Sequence, residues 1–137
     1  MPVYLLDSNI LSDIMRNPQG LAAVVFERKA FDPVAQMVTS IVVACEMRYG
    51  VAKNRSTPLA QRVDRALASV EVIPLGVGAD NAYAVLRADL ERRGQIIGQN
   101  DMLIAAHALA LDAILVTDNV REFKRVKGLR IENWLRS

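Results

Sequence analysis

Two hydrophobic periods alternate along the chain. Val3, Tyr4, Leu5 and Leu6 form a short unbroken apolar run, the pattern of a strand covered on both faces, and Asp7 and Ser8 end it. Ile10, Leu11, Ile14 and Met15 then recur at helical spacing, with Ser8 suited to cap the first turn and Asn17-Pro18 closing the segment. Leu21, Val24, Val25 and Arg28 mark a second helix, Met37 to Thr39 a strand, and Ser40 to about Lys53 a third helix. A clearer amphipathic repeat, Leu59, Val63, Ala66, Leu67 and Val70, precedes a strand at Val72 to Leu75. Asp80 is placed to cap a helix whose Ala82, Tyr83, Leu86 and Leu90 face inward and which Gly94 stops. The helix that begins near Asn100 and Asp101 is apolar almost all round from Met102 to Leu111, so core is expected to enclose it except at its acidic first turn. Ala113 to Val116 reads as another buried strand, Arg121 to Val126 as a short helix, and Leu129 to Trp134 as a closing edge strand. Strands separated by helices in this way predict a three-layer α/β domain, with a mostly parallel central sheet flanked by helices, because parallel neighbours need crossover connections.

Composition narrows the picture. The chain has 137 residues, enough for one compact core and too few for two ordinary domains, so residues 1–137 are expected to fold as a single domain. A hydrophobic fraction of 52% excludes a disordered chain. With 17 Lys and Arg against 15 Asp and Glu, the net charge of +2 is weakly basic, and nucleic-acid binding would need a local basic face. Cys45 is the only cysteine, which rules out an intrachain disulfide and a cysteine-cluster zinc site and suits a reducing compartment. No apolar run is long enough to span a bilayer, and no signal peptide precedes the first strand, so a soluble cytoplasmic protein is expected.

The candidate chemistry is acidic. Asp7 and Asp118 follow apolar strands and Asp101 opens an apolar helix, and in open α/β sheets such strand ends and helix N-termini converge where ligands bind. Glu46 is the fourth candidate, because it stands among Val42, Val43, Ala44, Cys45, Met47 and Tyr49, where an unpaired carboxylate is costly to bury. Four carboxylates at one opening repel one another unless a cation sits between them, and hard oxygen donors favour Mg2+ or Mn2+ over zinc. The chemistry implied is metal-dependent hydrolysis. Each acid also has an ordinary alternative: Asp7 and Asp101 as helix caps, Asp118 in an Asx turn, and Glu46 paired with Arg48 or Lys53. Asn9 and Asn100 are placed to orient a carboxylate or a bound water, or to serve only local backbone groups, and Thr117 likewise is either a hydroxyl of the site or strand-end chemistry.

The stretches Leu5-Leu6-Asp7-Ser8-Asn9, the Glu46 helix, Gly98-Gln99-Asn100-Asp101 followed by Leu103-Ile104-Ala105-Ala106, and Leu115-Val116-Thr117-Asp118-Asn119 leading to Glu122-Phe123 together resemble the PIN-domain ribonucleases. In particular they resemble the toxins of bacterial VapBC toxin–antitoxin modules, over essentially the whole chain. The resemblance implies a PIN-like fold and an Mg2+- or Mn2+-dependent endoribonuclease with Asp7, Glu46, Asp101 and Asp118 as its acidic quartet. Related toxins differ in which position of the last loop is acidic, which brings in Asn119 beside Asp118. It further implies an RNA substrate, with transfer RNA among the target classes, and neutralisation by a cognate VapB-like antitoxin seated in an apolar groove. The exposed faces of the Val24 to Phe31 and Leu59 to Val70 helices are candidates for that groove. A homodimer and a larger assembly with antitoxin and operator DNA are also implied.

His107 lies two turns beyond the proposed opening and is read as a packed helix histidine. Met37, Met47 and Met102 are packing residues and Trp134 an anchor for the C-terminal edge. Arg48, Lys53, Arg55, Arg62, Arg87, Arg92, Arg93, Arg121, Lys124, Arg125 and Lys127 are available to offset the acidic opening toward RNA, although each alone suits a solvated helix. Two other function classes share this outline. A phosphoacceptor receiver domain also gathers acids at strand ends, but the late strand offers no lysine partner; a catalytically silent nucleic-acid or protein-binding module would keep the shell without the reaction. A flap-type nuclease acting on DNA is a further alternative.

Overall fold

Leu5, Leu6 and Leu115 expose no surface, because the strands that carry them lie at the centre of a five-stranded sheet covered by helices on both faces. The computed structural model describes residues 2–136. In chain order the elements are β1 (Val3–Leu6), α1 (Ser8–Arg16), α2 (Leu21–Ala30), β2 (Gln36–Ser40), α3 (Ile41–Asn54) and α4 (Thr57–Ala68). There follow β3 (Glu71–Ile73), α5 (Ala79–Arg92), α6 (Gln99–Ala110), β4 (Ile114–Val116), α7 (Val120–Phe123) and β5 (Ile131–Glu132). The strand order is β3-β2-β1-β4-β5 and every pairing is parallel, with Leu5 opposite Val38 on one side and Leu115 on the other.

This order sets the position of the site. The chain steps from β1 outward to β2 and β3, then crosses back to β4 and β5 on the other side of β1. Right-handed crossovers therefore carry the two halves to opposite faces, and the direction reverses between the tips of β1 and β4, the place where open α/β sheets bind ligands. Asp7 follows β1 and Thr117 follows β4, so the topology alone brings residues 110 positions apart into contact. On the far face α5 packs on α6, whose Ile104, Ala105, Ala106 and Ala108 are fully buried. Burial of each large apolar side chain in this core contributes about 1.5–3 kcal/mol.

Several element ends differ from the sequence expectation for identifiable reasons. Asp7, not Ser8, caps α1: its backbone is extended (φ −77°, ψ 163°) and its Oδ1 accepts the Ser8 N–H at 2.8 Å. Asp80 lies inside the first turn of α5, because Gly78 takes a positive φ of 102° that only glycine adopts freely and turns the chain two residues earlier. β3 stops at Ile73 because Pro74 has no N–H to continue the ladder. β5 is reduced to two residues at the sheet edge, with Trp134 buried behind it and its indole N–H donated to Glu132 at 3.0 Å. Among the described residues no helix is long and apolar enough to cross a membrane.

Candidate active site

Asp7 is the centre of a compact polar network. It is only 4% exposed, and both carboxylate oxygens are engaged: Oδ1 by the Ser8 N–H, Oδ2 by the Thr117 hydroxyl at 2.8 Å and by Asn9 Nδ2 at 3.2 Å. Burial pushes its pKa above the ordinary carboxylate value, and the hydrogen bonds from Thr117, Ser8 and Asn9 pull it back in part. Thr117, fully buried, accepts in turn from Asn9 Nδ2 at 3.3 Å and from the Asn119 N–H at 3.0 Å. Asn9 Oδ1 accepts the Asp118 N–H at 3.0 Å. Asn9 and Thr117 thus lace the tip of β1 to the loop after β4. Asp7 is both a helix cap and a member of the acidic cluster.

Glu46 faces this network from α3. Its pKa is raised first by burial and then by the charge of Asp7, with the Asn100 and Ser8 side chains acting in the opposite direction. Its Oε1 is buried without a hydrogen-bond partner, a vacancy that costs about 1–3 kcal/mol in a protein interior. Asp101 stands in the first turn of α6, its pKa pushed up to about 7 by burial, by a shared hydrogen bond with Glu122, and by the charges of Asp7, Glu122 and Glu46. Glu122 is displaced downward by that same hydrogen bond, then by Asn119 and by the charges of Arg125 and Arg121. The two carboxyls thus shift in opposite directions, Asp101 upward and Glu122 downward.

Asp118 is turned elsewhere. Its Oδ1 accepts from Asn133 Nδ2 at 2.9 Å and faces Arg136 Nε at 3.4 Å, so its side chain belongs to the C-terminal segment while its backbone N–H supports Asn9. Glu122 instead joins Asp7, Glu46 and Asp101. The signal for it was present: Asn119 and Glu122 are three apart at the start of a helix, and Asn119 Nδ2 donates to Glu122 Oε2 at 3.1 Å.

The carboxylates line one opening without closing on a point. Among the described residues no three acidic, histidine or cysteine side chains stand close enough to ligate a single ion. The donor chemistry nevertheless fits a hard divalent cation: all donors are oxygens, one of them is buried with no partner among the described residues, and a cation would relieve the repulsion that helps raise the pKa values of Glu46 and Asp101. His107 takes no part. It is buried in α6 with Nδ1 2.7 Å from Ser40 Oγ and its pKa depressed by burial.

Two apolar grooves lie along α1 and α4, the first of them reaching Glu46. One of about 290 Å³ lies between Ser8, Met15, Glu46, Met47, Leu59 and Val63. A second of about 230 Å³ shares Met15 and is lined by Leu11, Ile14 and Phe26, with Arg62 and Arg65 at its edge.

The PIN domain family model matches residues 4–129. The chain is 39% identical to Ribonuclease VapC2 of Rickettsia felis, covering 96% of this chain and 98% of that protein. It is 34% identical to the tRNA(fMet)-specific endonuclease VapC of Shigella flexneri, over 96% of this chain and 97% of the relative. A crystal structure of VapBC2 from Rickettsia felis bound to a DNA fragment from its promoter contains a chain that superposes with a TM-score of 0.88 at 36% identity, covering 96% of this chain and 98% of that one.

Proposed function

The chain belongs to the PIN-domain family and is closely related to the VapC-type toxins of VapBC toxin–antitoxin systems, and from that premise we propose that it is an Mg2+- or Mn2+-dependent endoribonuclease with its active site at the tips of β1 and β4. The observation that carries this is the polar network at the tips of β1 and β4, where Thr117 and Asn9 orient the buried Asp7 carboxylate and Glu46 holds a buried oxygen with no partner among the described residues. Such a cluster opposes folding and is expected where function requires it.

In this reading Asp7, Glu46, Asp101 and Glu122 are the acids that would hold the cation, through bound water as well as directly, since no three of them close on one point, and Asp118 acts through its backbone and its contacts with Asn133 and Arg136. When bound, a divalent cation lowers the pKa of water and offsets charge developing on phosphate oxygens. Thr117, Asn9 and Ser8 fix the orientation of Asp7, and Asn119 fixes Glu122. Asn100 borders Glu46 from the α6 side. Asp101 is the acid whose ionised form a bound cation would favour, offsetting the burial and neighbouring charges that raise its pKa. Cleavage by water attack at phosphorus leaves 5′-phosphate and 3′-hydroxyl ends.

The relative from Shigella flexneri supports transfer RNA as the substrate class. The VapBC complex from Rickettsia felis supports an antitoxin partner and a joint assembly on promoter DNA. The grooves between α1, α2 and α4 suit an apolar antitoxin segment that ends near Glu46. Self-association is supported by an exposed stripe on α3, Ile41, Cys45 and Tyr49, one helical turn apart.

The test is cleavage of a defined RNA pool with Mg2+ or Mn2+, with chelator, and with the Asp7→Asn plus Asp101→Asn protein, followed by mapping of fragment ends. Discrete metal-dependent fragments that vanish in the folded variant are expected. Metal-independent cleavage, or cleavage retained by the variant, would count against the assignment.

A further inference from the structure

Positive charge is distributed unevenly around the acidic opening. The groove on the Glu46 side is lined by Ser12, Met15, Met47, Leu59 and Val63 and contains no lysine or arginine. On the opposite side α7 carries Glu122 into the cluster, and Phe123 and Val126, both buried, determine which face of this turn points outward. That outward face bears Arg121, with Lys124 as the C-cap of α7 and Arg125 in the turn that follows.

The cations of this region fall into two groups. Arg125 is committed to structure: its Nη1 donates to the Ile96 carbonyl at 3.1 Å, and its own carbonyl accepts from Arg93 Nη2. Arg93 is also paired with Asp89 at 2.6 Å, and Lys127 faces the same carboxylate at 3.5 Å. These contacts pin the segment between α5 and α6 against α7. Arg121 and Lys124, by contrast, are exposed and make no ion pair or side-chain hydrogen bond among the described residues. Exposed charges of this kind add little to folding stability. A phosphodiester strand approaching four carboxylates, however, needs cations next to them to be held at all.

We propose that Arg121 and Lys124 bind RNA phosphates flanking the scissile bond, so that the strand enters the opening over α7 and not over the apolar groove beside Glu46. This rests on the endoribonuclease function proposed above. Phosphate contacts of this type set register and affinity without reading bases. Arg125, held by Ile96, fixes the backbone from which the two free cations project.

The experiment compares the wild type with Arg121→Gln plus Lys124→Gln and with the charge-conserving Arg121→Lys plus Lys124→Arg. Metal-dependent cleavage of a transfer RNA is followed over substrate concentration, and binding of a labelled single-stranded RNA is measured in chelator across a salt series. Removing both cations is expected to raise KM by about tenfold or more with little change in kcat, as loss of charge-assisted contacts implies. The slope of log affinity against log salt should flatten by about 0.7 for each lost contact. The charge-conserving protein should keep both values near wild type. Unchanged KM and slope, or a loss confined to kcat, would overturn the assignment. If the double variant unfolds, the single substitutions decide by the same two readouts. Absence of cleavage by the wild type with either metal, while the variant still loses RNA binding in chelator, would instead reject the endoribonuclease function and leave the phosphate site standing.

Discussion

The Thr117 hydroxyl donates to Asp7 Oδ2 across 2.8 Å, joining the ends of the two central strands. It is the donor that Asp7 cannot obtain from solvent, and Thr117 is itself fully buried. Thr117→Val keeps the shape and removes the donor, so Asp7 should turn or take up a proton. Activity or metal affinity is expected to fall about 10–100-fold, the usual range for a residue that orients a metal ligand. Thr117→Ser should restore most of it. Cleavage rates measured over a metal titration check both, and a wild-type titration for Thr117→Val would remove the role assigned to this contact.

Glu122 and Asp118 make opposed predictions. Glu122→Gln replaces the partner of Asp101 and, if the proposed cation site is right, should lower kcat by about 100-fold or more. Asp118→Asn leaves the backbone N–H that holds Asn9 and an oxygen for Asn133, and should retain activity within about tenfold. Single-turnover cleavage by the two proteins, with folding checked by circular dichroism, separates the roles; the reverse order of effects would restore Asp118 to the centre of the site.

The cluster also predicts a pH dependence of stability in the metal-free protein. The pKa of Asp101 rises from 3.8 to about 7 on folding, so between these values the native state holds a proton that the unfolded chain has released. Stability then falls as pH rises through this window, and the penalty is complete above it. Asp7 and Glu46, also raised, act in the same direction, while the lowered pKa of Glu122 opposes them in part. Asp101→Asn should therefore melt higher than wild type at pH 8 and level with it at pH 4. Thermal unfolding in chelator at both pH values is the measurement, and a variant destabilised at pH 8 would contradict it.

Divalent cation should reverse that penalty. A ligand present at 100 times its Kd stabilises the native state by about 2.7 kcal/mol. Mg2+ or Mn2+ is expected to raise the wild-type Tm at neutral pH and to leave Asp7→Asn plus Asp101→Asn unmoved. Equal shifts in the two proteins would place cation binding elsewhere.

Ser40 offers a control away from the chemistry. Its hydroxyl caps α3 by accepting the Val42 N–H at 3.1 Å and meets His107 Nδ1 at 2.7 Å. Ser40→Ala should cost about 1 kcal/mol for the cap and about 1–3 kcal/mol for the unpaired buried imidazole nitrogen, with the metal-dependent kcat unchanged in the folded fraction. Denaturant unfolding and kinetics on the same preparation check this.

Much of the fold followed from local pattern because each central strand is flanked by punctuating residues: Asp7-Ser8 after β1, Thr117-Asp118 after β4, Gly94 after α5. The buried helix α6 was recognisable because nothing polar interrupts Met102 to Ala106. Ends that depend on a single backbone torsion, such as Gly78 before α5, or on edge pairing, as at β5, were not visible in hydropathy. Asp7, Glu46 and Asp101, singled out in the sequence at a strand end, within an apolar helix and at a helix start, act on one another's charge in the fold. The direction of the Asp118 side chain was not legible, since it depends on Asn133 and Arg136 returning from the C-terminal segment to engage it. A side-chain direction set by a partner 15 residues downstream carries no local signature.

The placement of β1 between β2 and β4 also governs when the site can exist. β1 leads the described chain, yet one of its two neighbours is the fourth strand, and the acceptor on Asp7 waits for a hydroxyl 110 residues later. Until β4 emerges from the ribosome, one edge of the central strand has no partner and the acidic pocket has only one wall. A nascent or prematurely terminated chain therefore carries Asp7 and Glu46 without the loop that orients them. The orientation of Asp7 is therefore a late product of synthesis relative to Asp7 itself, fixed only after residue 117 has been made.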